Sequence, residues 1–151
     1  MKNQPVIKEY VEATLQAGRF AVLATEGGGQ PHASLIAITP IEGFMQLLFA
    51  TYRNTRKYRN LAQNSKVAVL IQGGDADTAP GFALTAFGRA EEVGPAGHDA
   101  ALRTHLARHP DLASFLRSTD CALMRVTVES YQVVNGIDDV KWWPVDGPAT
   151  T

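Results

Sequence analysis

Thr51–Lys66 reads TYRNTRKYRNLAQNSK and concentrates Arg53, Arg56, Lys57, Arg59 and Lys66, five of the 14 basic residues of the chain. No acid occurs between Glu42 and Asp75, although the whole chain has a formal net charge of -1. The chemistry available to such a run is anion binding. Its position sharpens that reading, because the pattern places it just after a strand and at the start of a helix. A helix start offers free N–H groups and the positive end of the helix dipole, so it attracts anions. Arg56 and Lys57 in the first turn oppose that dipole, each at a cost of a few tenths of a kcal/mol, roughly, unless an anion offsets it. Such local conflicts tend to mark sites. A solvated helix face is the alternative reading of the same run.

Other chemistry-bearing residues are scattered. His105 and His109 stand four apart on a predicted helix, with His98 before them. That spacing can hold a metal, but no carboxylate or thiolate joins it at a diagnostic spacing, so they read as surface or capping histidines. His32 lies in a predicted strand and is the one candidate proton donor near neutral pH, against a structural or lining role. Trp142 and Trp143 must face opposite sides of a strand. One is then core, and the other covers a ligand or a subunit seam. Cys121, the single cysteine, reads as a small buried hydrophobe. Gly27–Gly29 lacks the spacing of a dinucleotide fingerprint and reads as a hairpin turn, and Asp138–Asp139 reads as a turn.

These residues need elements to hold them. A helix is predicted over Pro5–Ala17, with Val6, Tyr10, Ala13 and Ala17 at near-helical spacing and Gly18 as its stop. Strands are predicted over Arg19–Thr25, Pro31–Thr39, Phe44–Thr51, Lys66–Gln72, Gly81–Val93 and Ala122–Val134, with a seventh at Val140–Trp143. Pro40–Gly43 is the turn before the third. A helix over Thr55–Gln63 takes Asn54 or Thr55 as N-cap, with Tyr58, Leu61 and Ala62 on its apolar side. Another spans Ala96–Arg108, with Ala100, Leu102, Leu106 and Ala107 inward, and Pro110 opens a short helix through Leu116. Strands dominate and their connections are hairpin-short. The class is α+β, or a small barrel with added helices, rather than alternating βαβ units.

The 151 residues make one domain, 1–151, with a polar tail at 146–151 that frays. Apolar residues are 45% and charged residues 19% of the chain, which excludes wholesale disorder. The near-neutral charge argues against a generally basic nucleic-acid binder, and the basic run lacks the exposed aromatic platform that such modules show near it. No apolar run approaches the ~20 residues of a membrane span. The start carries Lys8, Glu9 and Glu12 where a secretory signal would be apolar. With a lone cysteine, a cytoplasmic location is expected.

The order of motifs resembles the flavin-binding split-barrel family, that of pyridoxamine 5′-phosphate oxidase and its general-stress-protein relatives. The matching segments are Pro31–Ala37 (PHASLIA), Phe49–Thr51 (FAT), Thr55–Leu61 (TRKYRNL), Asn64–Leu70 (NSKVAVL) and Ala83–Val93 (ALTAFGRAEEV). The resemblance runs from about Val6 to Val134. It implies a six- to seven-stranded antiparallel split β-barrel with peripheral helices. It implies FMN as cofactor, with deazaflavin or haem as alternatives that relatives of the fold accept. Position by position, it implies that Arg56 and Lys57 hold the FMN phosphate and that Thr55 adds a hydroxyl. His32, Ala33, Ser34, Leu35 and Ile36 would line the flavin ring. Ala50 and Thr51 would lie near the ribityl chain, and Gln72 would reach in from the fourth strand. It further implies a homodimer with two flavins at the interface, acting on a small-molecule substrate or electron donor.

The expected function is therefore an FMN-dependent oxidoreductase. A non-catalytic flavin sensor or carrier is the alternative. The oxidase itself grips its substrate's phosphate with an Arg and a His near the C-terminus. Here Ile137–Gly147 reads IDDVKWWPVDG, without either. Oxidation of pyridoxamine 5′-phosphate is accordingly not expected.

Overall fold

The computed structural model describes residues 3–73, 82–135 and 139–145. The predicted Gly81 strand start, Asp138 and the tail at 146–151 lie outside them. Helix α1 (Asn3–Ala17) is followed by β1 (Phe20–Gly27), β2 (Gln30–Ala37), β3 (Thr39–Ile41) and β4 (Gln46–Tyr52). Then come α2 (Arg56–Gln63), β5 (Lys66–Gln72), β6 (Phe82–Glu92) and α3 (Pro95–Arg108). A 3-10 turn (Pro110–Leu112) leads into α4 (Ala113–Leu116), β7 (Cys121–Asn135) and β8 (Val140–Pro144). No helix among the described residues is long and apolar enough to cross a membrane.

All eight strands form one antiparallel sheet in the order β2-β1-β5-β6-β7-β4-β3, with β8 added to β7. β2 and β3 are consecutive in the chain yet lie at opposite ends of that order. The sheet therefore curls until its ends meet, which makes a split barrel with helices around it. The bend is helped at Gly88, where the β6–β7 register shifts and a Cβ would strike the Thr127 carbonyl.

The predicted strand Pro31–Thr39 is in fact two, one more strand than the count expected. The break falls at Ile38. Its N–H donates to the Arg19 carbonyl at 3.0 Å, and its own carbonyl accepts from the His109 ring at 2.7 Å. No ladder bond is left there, and Pro40 in the edge strand β3 has no N–H to offer. The following turn lies at Glu42–Met45, later than predicted, with Glu42, Gly43 and Phe44 all at positive φ. The β1–β2 hairpin turns on Gly28 and Gly29 at φ 59° and 86°. Both central positions of such a two-residue turn need positive φ, which glycine supplies without strain.

The core fills the barrel with alternate strand residues, such as Leu23, Val69, Leu84, Val126 and Tyr131, and with Val11 and Leu15 of α1. Helix α1 is turned relative to the sequence reading. Ile7, Val11, Thr14 and Leu15 are buried, whereas Tyr10, Ala13 and Ala17 are exposed and the Val6 side chain lies outside those described. The larger Ile-Val-Leu stripe at i, i+4 decides the face. A second apolar cluster joins Leu48, Ala50, Val93 and Leu123 to Leu116 of α4 and closes the side of the barrel under α3.

Candidate functional site

Helix α2 starts where the basic run predicts. Thr55 is its N-cap: its hydroxyl accepts the Tyr58 N–H at 3.2 Å and donates to the Tyr52 carbonyl at 2.8 Å. Thr51, buried at the end of β4, lies 3.0 Å from the same hydroxyl. The first intrahelical bond runs from Arg59 N–H to Thr55. The N–H groups of Arg56 and Lys57 are thus the free donors of the first turn. The other end of α2 is clasped to β1. Asn60 donates to the Thr25 hydroxyl at 3.0 Å, and Asn64 donates to Glu26 at 2.8 Å. A side chain at position 27 would collide with Asn60, so the clasp needs Gly27.

The five cations of the run divide into two kinds. Arg53 is committed: it meets Glu92 at 2.5 Å and donates to the carbonyls of Thr119 and Cys121. Glu92 also accepts the Tyr58 hydroxyl at 2.8 Å, which ties α2 to β6. The side chains of Arg56, Lys57, Arg59 and Lys66 have no hydrogen-bonded or ionic partner among the described residues. Arg56 is exposed and Lys57 half-buried. Burial pushes the Lys57 ammonium below the usual lysine range, as expected for a charge taken from water without a counter-ion.

Lys57 lines a cavity of about 200 Å³ together with Leu35, Ile36, Ala50, Phe20, Ala37, His105, Leu112 and Phe115. Four residues picked from the sequence, Leu35, Ile36, Ala50 and Lys57, are thereby brought to one place. His32 and Ser34 share the partly buried side of β2, and His32 Nδ1 and Ser34 Oγ are buried without a hydrogen-bond partner. Ala33 and Leu35 point the other way and are exposed. Leu35 also lines a groove of about 440 Å³ with Phe20, Val22, Leu70, Ala83 and Gln72. Gln72 is thus at the neighbouring groove and not in the Lys57 cavity.

His105 is the residue the sequence reading missed. It was expected at the surface or as a cap, yet it is 1% exposed and faces the cavity. His109 does occupy the cap position of α3 but is equally buried, with its Nε2–H donating to Ile38. Burial, with His109 and Arg108 nearby, holds the His105 pKa down to about 4. Ala100 and Ala107, expected inward, are exposed, while Ala101 and Leu102 pack inward with His105. The signal was the 3-4 spacing of Ala101, Leu102, His105 and His109, which marks one helix face. Among the aromatics, Trp143 stacks on the core residue Tyr131 at 5.7 Å. Trp142 is 52% exposed and stacks on Phe87 at 5.4 Å. Cys121 is half-buried, not fully so, and burial raises its thiol pKa.

Residues 7–135 match the family model described as pyridoxamine 5′-phosphate oxidase. No curated protein is similar enough in sequence to match. Solved structures share the fold. A haem-binding protein from Mycobacterium smegmatis superposes with a TM-score of 0.79 at 19% identity, over 91% of this chain and 57% of its own. General Stress Protein 26 from Bacillus anthracis gives 0.70 at 18% identity, over 92% of this chain and 98% of its own. Campylobacter jejuni ChuZ gives 0.79 at 10% identity, over 94% and 61%. The chain thus spans little more than half the length of the Mycobacterium protein.

Proposed function

The chain belongs to the pyridoxamine 5′-phosphate oxidase family, and from that premise we propose that it is an FMN-binding oxidoreductase. The observation that carries this is the pair Arg56 and Lys57. Both are unpaired among the described residues, both oppose the α2 dipole, and Lys57 is half-buried against an apolar cavity beside β2. A guanidinium fork with an ammonium and two free backbone N–H groups suits a phosphate dianion. The residues fit the rest of the group as well. His32 Nδ1 and Ser34 Oγ are buried polar atoms without partners on the Ile36 side of β2, although neither residue lines the Lys57 cavity. Leu35, Ile36 and Ala50 offer an apolar wall. When bound, the flavin would supply two-electron redox chemistry. The chain's residues would bind and orient it and exclude water.

The cavity of about 200 Å³ is below the ~300–1,000 Å³ of ligand pockets, so it takes only part of such a cofactor. The remainder would lie over the adjoining groove, where Phe20 is 54% and Leu35 68% exposed beside Val22 and Leu70. That apolar face is continuous with the cavity through Phe20 and Leu35, which line both. We assign it to a second copy of the chain, with the flavin at the seam and exposed Trp142 a further candidate for covering it. A two-fold interface would cover both sites with the same surface.

Its substrate is a small molecule, and we propose that this is not pyridoxamine 5′-phosphate. Beyond Val134 the one cation is Lys141, and it is paired with Asp139 at 2.8 Å. Arg89 is likewise paired with Glu129. No second phosphate clamp is left there. We also propose a cytoplasmic location, on the lone cysteine.

The visible spectrum of the purified protein tests the proposal, followed by FMN and riboflavin titrations. A two-band flavin spectrum, or uptake of FMN in preference to riboflavin, is expected. A Soret band would replace flavin with haem. A colourless protein that takes up no FMN would overturn the reading.

A further inference from the structure

His105 has two ring nitrogens and only one of them is used. Nδ1 lies 2.7 Å from the hydroxyl of Thr39, which is buried in β3. That hydroxyl has no other acceptor among the described residues, so its proton goes to Nδ1. A neutral imidazole that accepts at Nδ1 carries its proton on Nε2. The ring is neutral at ordinary pH, because its pKa is held to about 4. Nε2–H has no hydrogen-bond partner among the described residues, and the residue lines the cavity. The other polar side chain around that cavity is Lys57, also a donor without a partner. Phe20, Leu35, Ile36, Ala37, Ala50, Leu112 and Phe115 supply no polar side-chain atom.

The cavity thus has side-chain donors and no side-chain acceptor. We propose that Lys57 Nζ and His105 Nε2–H together form an oxyanion site within it. Thr39 acts as a positioning residue that fixes the tautomer. The inference deepens the flavin reading and rests on it in one respect: the oxyanion is either the cofactor's own phosphate or a separate organic anion, such as a carboxylate substrate. The shared chemistry is the same. An anionic oxygen is received by one charged and one neutral donor against an apolar wall. The neutral imidazole suits this role, because it adds a hydrogen bond without adding charge repulsion toward Lys57.

Nitrogen-15 NMR on histidine-labelled full-length protein reads the tautomer directly. His105 should be protonated on Nε2, and inorganic phosphate should shift that signal at millimolar concentrations. His105→Phe should weaken phosphate and FMN binding roughly tenfold or more, the size of one hydrogen bond to a charged group, and leave riboflavin binding unchanged. His105→Gln, whose amide can reach the Nε2 position, should restore most of the loss. An Nδ1–H tautomer, or no response of His105 to phosphate, overturns the proposal. So does a folded His105→Phe protein that keeps its full phosphate affinity. If His105→Phe does not fold, the wild-type spectra still decide.

The flavin reading is tested apart from this. Phosphate that shifts His105 in a protein taking no FMN keeps the oxyanion site and removes the flavin. When FMN competes with phosphate for the His105 signal, the oxyanion is the cofactor's. When phosphate or benzoate still shifts His105 in FMN-loaded protein, it is the substrate's.

Discussion

The start of α2 and the end of α3 look alike in sequence, since each is a short cluster of basic residues at a helix terminus. In the structure they are opposites. At the end of α3, Arg108 stands where the dipole favours a cation. Its guanidinium donates to the carbonyls of Leu15, Gln16 and Gly18 at 2.8, 3.1 and 2.6 Å and so closes the C-terminus of α1. Its own carbonyl accepts from Arg19 at 2.8 Å, and His109 donates to Ile38. At the start of α2, Arg56 and Lys57 stand against the dipole and bond to nothing among the described residues. Cations that agree with their helix and bond to neighbouring backbone build the fold. Cations that disagree with it and are left over are the ones we propose as the phosphate anchor.

The largest effect should come from removing the leftover pair. Arg56→Ala with Lys57→Ala should weaken FMN binding by roughly 10²–10⁴-fold, since hydrogen bonds to charged groups contribute ~1.5–3 kcal/mol each. Riboflavin, which lacks the phosphate, should bind as before. The melting temperature should hold or rise slightly, because the dipole conflict is relieved. Fluorescence quenching titrations with both ligands check this, and equal losses for both would erase the contrast between the two helix ends.

The next effect belongs to the end of α3 and follows acid. The folded-state pKa of His105, about 4, lies below its ordinary value of 6.5. The unfolded chain therefore takes up the proton first. Stability is full above pH 6.5 and falls as the pH drops toward 4, by on the order of 3 kcal/mol. Burial shifts His109 in the same direction. Urea midpoints at pH 7 and 4.5 measure the loss, and His105→Gln should flatten it. A midpoint that does not move with pH would show that this histidine is solvated.

Arg108→Met comes third. It keeps the apolar stem but strips two carbonyls of α1 and that of Gly18 just beyond it of their donor, at about 2 kcal/mol. The preference for FMN over riboflavin should survive, since Arg108 does not line the Lys57 cavity. Thermal melts and the same two titrations separate these readouts. A changed preference would mean that the two helix ends are coupled.

The α2 side of this contrast was legible before the fold was known, and the role of Arg108 at the end of α3 was not. The helix start, its cap and the strand before it followed from local rules, because a run such as Asn54-Thr55-Arg56-Lys57 carries its own signals. The family resemblance then placed β2 opposite it. What stayed hidden depended on contacts far apart in the chain. Nothing local shows that Arg53 meets Glu92, 39 positions on, and so differs from Arg56. Nothing local shows that His105 reaches Thr39, 66 positions back. Ile38 broke a predicted strand for the same reason, since its carbonyl goes to a helix that arrives 71 residues later.

The smallest effect concerns Thr55, where the resemblance and the geometry lead to different expectations. The resemblance makes its hydroxyl a phosphate contact. In the structure its one proton is given to Tyr52 and it accepts from Tyr58, so it is occupied as a cap. A cap lost to alanine costs about 1 kcal/mol of stability. Its influence on phosphate would then act through the placement of the Arg56 and Lys57 N–H groups, and would be only a few-fold. Thr55→Ala should therefore lower the melting temperature by a few degrees and weaken FMN slightly. Thr55→Ser, which keeps the hydroxyl, should change neither. If Thr55→Ala instead costs tenfold or more in FMN affinity with riboflavin unaffected, the hydroxyl turns from Tyr52 to the phosphate on binding. The start of α2 would then be a part of the fold that the ligand rearranges, and the end of α3, with all three of Arg108's carbonyl contacts internal, would be the fixed frame against which it moves.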